Sequence, residues 1–216
     1  MKPYTISYSQ KEAGFKTTIN EKVLLVPISE KVSDMIKVLR KDLVYEIEGE
    51  YILGDTAVKL MTKMHQMCSG TVKFESGNRM VLDLSKAKFI KEKFDGQKIG
   101  IFYKFQAELT ALREVFGDNL CTTLEEFDST DKNIALQIVS GREGISLRKA
   151  DFLVYYNIDF SATSYWQSRD RMTTKDRMHN NIYWIFSEKC IEKMIYKAVN
   201  SKKDYTLRHF KRDYFI

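Results

Sequence analysis

Residues 138–177 constrain the fold of this chain more than any other stretch. They begin at the end of an apolar β-run, pass through a loop with two glycines, and enter a second β-run, DFLVYY at 151–156. A strand this apolar is buried on both faces, which is typical of a parallel sheet covered by helices. Ligands bind at the carboxyl ends of such strands, so the loops that follow them are the candidate functional segments.

Strands and helices alternate between residues 96 and 200. Apolar runs predict strands at 98–103, 134–139, 151–156 and 182–186, with a short one near 120–122. Apolar residues three and four positions apart predict helices at 106–116, 161–174 and 190–199. This alternation predicts an α/β domain with a mostly parallel sheet flanked by helices and right-handed crossovers.

Two further parts flank this core, which is predicted to span 96–200. Residues 1–95 are more helical, with predicted helices at 30–42 and 55–68 and hairpins at 44–53 and 71–84. Residues 201–216 form a basic, aromatic tail. We expect Leu207, Phe210 and Tyr214 to form one face of a last helix that packs on the core.

Composition favours an intracellular protein with a polyanionic partner. The net charge is +6 and the sequence pI is about 9.0, which suits nucleic acid. No run of about 18 apolar residues is present, so no membrane association is expected. The first residues lack the apolar core of a secretory signal, so we expect a cytoplasmic or nuclear location. Cys68, Cys121 and Cys190 lie far apart without metal-ligand spacing, which predicts free thiols and no metal site.

A glycine-containing loop, SGREG at 140–144, directly follows the apolar run ALQIV. Glycines at the end of a strand let the backbone approach a phosphate closely and turn N–H groups outward. Ser140 adds a hydroxyl and Arg142 a positive charge. The alternative is that Gly141 and Gly144 only form a turn.

Three polar residues, Gln167, Arg171 and Lys175, are spaced four apart in the predicted helix 161–174 and just beyond it. Residues at this spacing lie on one face of a helix. An amide and two cations beside a glycine loop can stabilise charge on a transferring phosphoryl group. The alternative is a solvated helix face without a ligand.

Taken in order, these features resemble the C-terminal, second RecA-like domain of superfamily-two helicases, and most closely the Swi/Snf-type DNA translocases. KIGIFYKFQAEL at 98–109 is similar to a strand-helix motif of that family. The later matches, in register, are Gly144-Ile145-Ser146-Leu147, Ala150-Asp151, Asp159-Phe160, Gln167 and Asp170-Arg171. The resemblance covers residues 20–200 and implies a RecA-like fold and ATP hydrolysis coupled to movement along DNA.

On the nucleotide side, the resemblance implies that Arg171 reaches the phosphates of ATP and that Gln167 helps organise the cleft. Gly144 and Asp170 occupy nucleotide-binding positions of the family pattern. The family pattern has a second arginine three residues after the first, where this chain has Thr174. Lys175 and Arg177 are the two candidates to replace it. They matter because the loss of an arginine finger costs roughly 10³-fold or more in rate.

On the nucleic-acid side, the resemblance implies that Ser140, Gly141 and Arg142 contact the backbone of DNA, or of RNA. Lys104 and Phe105 follow the first matched strand and would lie near the same nucleic-acid track.

The sequence contains no G-x-x-x-x-G-K-[ST] loop and no acidic strand end suited to Mg²⁺. ATP and Mg²⁺ would therefore be bound mainly by a first, N-terminal RecA-like domain. We expect that domain to be supplied by a longer form of the same protein or in trans.

Two other functions remain open at this stage. One is a helicase-derived module that binds nucleic acid or protein without turning over ATP, which Thr174 favours. The other is an unrelated α/β enzyme. His65, His179 and His209 are scattered and no G-x-S-x-G motif occurs, so each histidine is expected to be structural or exposed.

Overall fold

A computed structural model describes residues 18–138, 145–169, 171–173 and 178–214. Its strands are β1 (Thr18–Val26), β2 (Val44–Ile47), β3 (Glu50–Leu53), β4 (Thr71–Lys73), β5 (Arg79–Val81), β6 (Ile99–Tyr103), β7 (Leu120–Cys121), β8 (Asn133–Gln137), β9 (Phe152–Tyr155) and β10 (His179–Ser187). Its helices are α1 (Glu30–Asp42), α2 (Ala57–Cys68), α3 (Ser85–Lys93), α4 (Gln106–Phe116), α5 (Leu124–Ser129), α6 (Ala162–Ser168), α7 (Glu192–Asn200) and α8 (Leu207–Tyr214).

Six strands form the central sheet in the order β1-β10-β9-β6-β8-β7. Every neighbouring pair in this sheet is parallel. The predicted mostly parallel α/β sheet is therefore confirmed. Because the strands are parallel, the loops after β6, β8 and β9 emerge at the same edge of the sheet.

Alternate residues of the strands are buried in two hydrophobic layers, one on each face of the sheet. In β9, Leu153 and Tyr155 belong to the layer that includes helices α1, α2, α7 and α8. Val154, between them, belongs to the layer that includes α3 and α4. The continuous apolar pattern of this strand thus reflects burial on both sides, as the sequence predicted.

The first 95 residues contribute directly to this core. β1 pairs with β10 along nine residues and forms one edge of the sheet. Met61, Met64 and Met67 of α2 are buried in the same layer as strand residues from beyond residue 95. Ser29 caps α1 as predicted, with its hydroxyl accepting from the backbone N–H of Val32.

The tail begins with an extended segment and ends in α8. Phe210 is fully buried, and Leu207 and Tyr214 pack beside it against the layer that contains α1 and α2. In the part of the chain that the structure describes, no helix is long and apolar enough to span a membrane.

The prediction of three free thiols is wrong for two of the cysteines. Cys68, at the end of α2, forms a disulfide with Cys190, in the turn after β10. Their Cα atoms lie 5.8 Å apart although 122 residues separate them in the chain. Cys121 is a buried free thiol, and burial raises its pKa. Only the tertiary fold brings Cys68 and Cys190 together, so their spacing in the sequence did not indicate the pair.

A buried ion pair joins α3 to α7. The Lys86 ammonium donates to the Glu192 carboxylate and, at 3.1 Å, to the carbonyl of Tyr156. Glu192 also accepts from the backbone N–H of Ser187 at 2.7 Å. Burial raises the pKa of Glu192 to about 7, while the Lys86 charge acts in the opposite direction.

Replacing Lys86 by methionine should therefore leave an uncompensated buried carboxylate. We expect Lys86→Met to lower the free energy of unfolding at pH 7.5 by about 3–5 kcal/mol, measured by urea denaturation. The deficit should shrink towards pH 5, because protonation of Glu192 removes its buried charge. Lys37→Met is the control, since the Lys37–Asp34 pair is exposed on α1 and should contribute less than about 1 kcal/mol. An equal decrease in the free energy of unfolding of the two variants would contradict this account.

Candidate nucleotide and nucleic-acid site

The loop between β6 and α4 places Lys104 and Phe105 at the carboxyl edge of the sheet. The neighbouring strand β8 supports this loop from one side. Gln137, the last residue of β8, donates its side-chain amide to the carbonyl of Lys104 at 3.0 Å. The backbone N–H of Ile138 donates to the carbonyl of Tyr103 at 2.8 Å. The chain therefore leaves β8 directly beside Lys104, just before residues 139–144.

The Lys104 ammonium lies in an anionic and aromatic environment. It pairs with the carboxylate of Asp159, which follows β9. It also lies 4.5 Å from the ring centroid of Phe160 and 5.7 Å from that of Phe105. Burial opposes the charge of Asp159, but Lys104 and hydrogen bonds hold the pKa of this carboxyl below its ordinary value. The Lys104 side chain remains 17% exposed, so an anion can still reach it.

A buried glutamate holds the backbone of this loop. Glu108 is fully buried in the first turn of α4. One of its oxygens accepts from the N–H groups of Lys104 at 2.7 Å and Phe105 at 3.0 Å. The other accepts from the Asn157 side-chain amide at 2.5 Å. These bonds satisfy N–H groups at the start of α4 and fix the loop relative to the segment after β9.

His65 of α2 completes this buried network. Its Nε2 lies 2.6 Å from the side-chain oxygen of Asn157, which also accepts from the N–H of Ile158. Because that oxygen is an acceptor, Nε2 must carry the proton. Nδ1 is buried without a partner among the described residues. Burial, reinforced by the charge of Lys104, lowers the pKa of His65 well below its ordinary value, so the ring is neutral and structural.

The polar helix is shorter than predicted. α6 ends at Ser168, so Arg171 lies in a turn beyond it and does not share a helix face with Gln167. The prediction of a continuous helix to residue 174 is wrong. The Arg171 carbonyl accepts from the N–H of Leu147 at 2.8 Å, and Met172 is fully buried. These tertiary contacts turn the chain away from the helix axis.

The structure describes four of the predicted site residues. Lys104 and Phe105 lie together, Gln167 is exposed on α6, and Arg171 is half-buried with its Nε lacking a partner in the described part of the chain. The others lie outside the described residues: Ser140, Gly141, Arg142, Gly144, Asp170, Lys175 and Arg177.

A partly buried cluster around Glu21 anchors α6. The Glu21 carboxylate of β1 accepts from the Tyr165 hydroxyl at 2.8 Å, the Trp184 indole at 2.9 Å and the Tyr196 hydroxyl at 3.3 Å. It also pairs with Arg169, which directly follows α6. Through these contacts β1, β10 and α7 hold α6 in place, together with Arg169 at its end. Sequence reasoning missed this cluster, because the residues come from distant parts of the chain.

Two of the predicted site residues that the structure describes, Lys104 and Arg171, are cationic. Among the described residues, the buried Nε of Arg171 has no hydrogen-bond partner. Within residues 18–138, 145–169, 171–173 and 178–214, no group of three or more His, Cys, Asp or Glu side chains could hold a metal.

Comparison of the fold defines the class of protein: a RecA-like α/β domain. One solved structure, the C-terminal part of the Fun30 ATPase domain, is 14% identical with a TM-score of 0.64, covering 89% of this chain and 92% of that one. The Sulfolobus solfataricus SWI2/SNF2 ATPase core, alone and in complex with dsDNA, is 15% identical, with TM-scores of 0.58 and 0.56 over 85% of this chain. No protein-family model and no curated protein matches the chain.

These similarities confirm the RecA-like fold that the sequence resemblance implied, and its likeness in fold to the C-terminal part of Swi/Snf-type ATPases. The chain spans 43–44% of the length of the two SWI2/SNF2 cores. At such low identities the similarity establishes the fold and not the activity.

The neutral state of His65 has a consequence for stability. Because its pKa is lowered in the folded protein, the unfolded chain binds more protons below pH 6.5. The contribution of His65 is fully present above that pH and falls by up to about 1.4 kcal/mol per pH unit as the pH drops. We expect His65→Gln to remove this part of the pH dependence of the free energy of unfolding, measured by urea denaturation between pH 7.5 and 5.

His179→Gln is the matched control, because His179 is exposed at the start of β10. The free energy of unfolding of this variant should depend on pH as that of the wild type does. A wild-type slope that persists in His65→Gln would show that another group causes it.

Proposed function

We propose that this chain is the C-terminal motor domain of an ATP-dependent DNA helicase or translocase. It would complete an ATP site whose other half belongs to an N-terminal RecA-like domain, and it would contact the nucleic-acid backbone. The observation that carries the proposal is the fold, which matches the C-terminal part of the Fun30 ATPase domain over 89% of this chain. The similar SWI2/SNF2 core in complex with dsDNA supports DNA as the partner.

On the nucleotide side, we assign Arg171 to the phosphates of ATP and Gln167 to the cleft around them. Four further residues are assigned to the nucleotide side from the sequence: Gly144, Asp170, Lys175 and Arg177. ATP, with Mg²⁺ held by the other domain, supplies the phosphoryl group whose transfer drives the motor. The guanidinium of Arg171 would stabilise the charge that develops on that group. Among the described residues the buried Nε of Arg171 has no hydrogen-bond partner, which supports this role.

On the nucleic-acid side, Lys104 and Phe105 are partly exposed at the carboxyl edge of the sheet, and Glu108 holds their backbone N–H groups, which supports their assignment. Ser140, Gly141 and Arg142 are assigned to the same track from the sequence. A cation supplies attraction to phosphates, and an aromatic ring can stack on a base or sugar. A DNA phosphate near Lys104 would compete with Asp159 for the ammonium.

The buried network offers a physical link between the two sides. Glu108 holds the Lys104 backbone and also binds Asn157, which lies two residues before Asp159. The same segment leads directly into α6, which begins at Ala162. A shift of Lys104 on binding DNA would therefore be transmitted to the helix that precedes Arg171.

A second candidate is a helicase-derived binding module without ATP turnover. Thr174 favours it, because this residue stands where the family pattern has a second arginine. The two candidates differ in one respect: only a motor domain gives DNA-dependent ATP turnover when joined to a first RecA-like domain.

Removal of the Lys104 charge should weaken DNA binding. Fluorescence anisotropy of labelled double-stranded DNA, titrated at several salt concentrations, should give a log-linear loss of affinity with salt. For Lys104→Ala we expect weaker binding and a slope smaller by about 1. Lys132→Ala is the control, because Lys132 also pairs with a carboxylate, Glu126, but precedes β8 at the opposite edge of the sheet. Unchanged binding by Lys104→Ala would remove this residue from the interface.

Arg171 is tested in a protein in which a first RecA-like domain is present. Arg171→Ala should lower ATP turnover by roughly 10³-fold or more and leave DNA affinity nearly unchanged, because its role is confined to the phosphoryl group. Arg113→Ala, on the exposed surface of α4, is the control and should keep full turnover. Retained turnover in Arg171→Ala would exclude the assigned role.

A further inference from the structure

The hairpin formed by β4 and β5 carries two cations opposite each other. In the antiparallel register, Lys73 pairs directly with Arg79. Residues opposite each other in such a pair project to the same face, and both of these side chains are exposed. Like charges in this arrangement repel and destabilise the hairpin. An anionic ligand bound to both side chains would relieve this repulsion.

The acidic side chains near the hairpin are already engaged. Glu75, in the turn, pairs with Lys63 at 3.1 Å and lies 3.8 Å from Lys59. Glu50 accepts from the side-chain amide of Asn78 at 2.6 Å. Neither Lys73 nor Arg79 forms a side-chain hydrogen bond or ion pair with another described residue. Their charges are thus available to a ligand.

A groove of about 190 Å³ connects this pair to the candidate site. Its lining combines three cations, an aromatic ring and amide groups: Gln66, Lys73, Arg79, Lys104, Phe105 and Gln137. Among the described residues, no carboxylate lines it. This composition suits a phosphodiester chain, whose charge is negative and whose sugars and bases present apolar faces.

The groove is held in shape by contacts from its own lining. The side-chain oxygen of Gln66 accepts from the backbone N–H of Lys73 at 3.1 Å, which joins α2 to the hairpin. Lys63 donates to the carbonyl of Lys73 from the same helix. Gln137 holds the carbonyl of Lys104 on the other side. Hydrogen bonds therefore hold both walls of the groove.

We propose that the β4–β5 hairpin is a further nucleic-acid contact. Lys73 and Arg79 bind phosphates of the DNA strand that also passes Lys104, and the groove between them holds the intervening sugar–phosphate backbone. This inference rests on the proposed function, because it extends the track assigned to Lys104 and Phe105. It adds a segment that lies outside every motif that carried the family resemblance.

The test compares Lys73→Gln/Arg79→Gln with the wild type in the DNA anisotropy titration. Two lost phosphate contacts should lower the affinity on the order of tenfold and reduce the salt slope by about 1.8. Lys193→Gln/Lys197→Gln is the matched control, since it removes the same charge from the exposed surface of α7. It should change the affinity less than about twofold. Circular dichroism and thermal unfolding of each variant establish that it is folded. If the hairpin variant is not, Lys73→Ala/Arg79→Ala replaces it.

The outcomes separate this inference from the proposed function. Wild-type affinity in the hairpin variant, with weakened binding in Lys104→Ala, overturns the hairpin contact and leaves the proposed function standing. Equal weakening in the hairpin and α7 variants also overturns it, because net charge alone would then explain the effect. A wild-type chain that binds no DNA at low salt overturns both the hairpin contact and the assigned DNA track.

Discussion

The buried carboxylate of Glu108 is the interaction on which the candidate site depends. A carboxyl group in the protein interior is costly unless its oxygens accept hydrogen bonds. Here the backbone N–H groups of Lys104 and Phe105 and the amide of Asn157 supply those bonds. The loop satisfies the carboxylate and the carboxylate holds the loop, so the two arrangements stabilise each other.

The same interaction connects parts of the molecule that are assigned to different ligands. Asn157 also binds His65 of α2, and the segment that contains it continues through Asp159 into α6. At the other end of α6, Glu21 ties Arg169 and Tyr165 to β1. Glu108, Asn157 and His65 are fully buried, and the chain from Asn157 through α6 joins them to the cluster around Glu21.

The fold could be predicted from the sequence largely because burial leaves a direct pattern in it. Strands such as β6 and β9 are buried on both faces and therefore appear as continuous apolar runs. The role of Glu108 could also be predicted, because a glutamate in the first turn of a helix is typical of a capping interaction. The position of Lys104 at the edge of the sheet followed from its place after a strand.

The features that could not be predicted depend on contacts between distant segments. α6 ends early because Leu147 binds the Arg171 carbonyl and Met172 is buried, and local propensity contains no information on either contact. The Cys68–Cys190 pair and the Glu21 cluster arise in the same way. The hairpin cations Lys73 and Arg79 were visible as charges, but their position opposite each other required the strand register.

We propose that this chain is half of a DNA-driven ATPase. The most direct test measures ATP turnover of a protein that contains both this domain and a first RecA-like domain, with and without double-stranded DNA. The account predicts low turnover without DNA and a saturable, salt-sensitive increase when DNA is added. Turnover that is absent, or that does not respond to DNA at low salt, would contradict it.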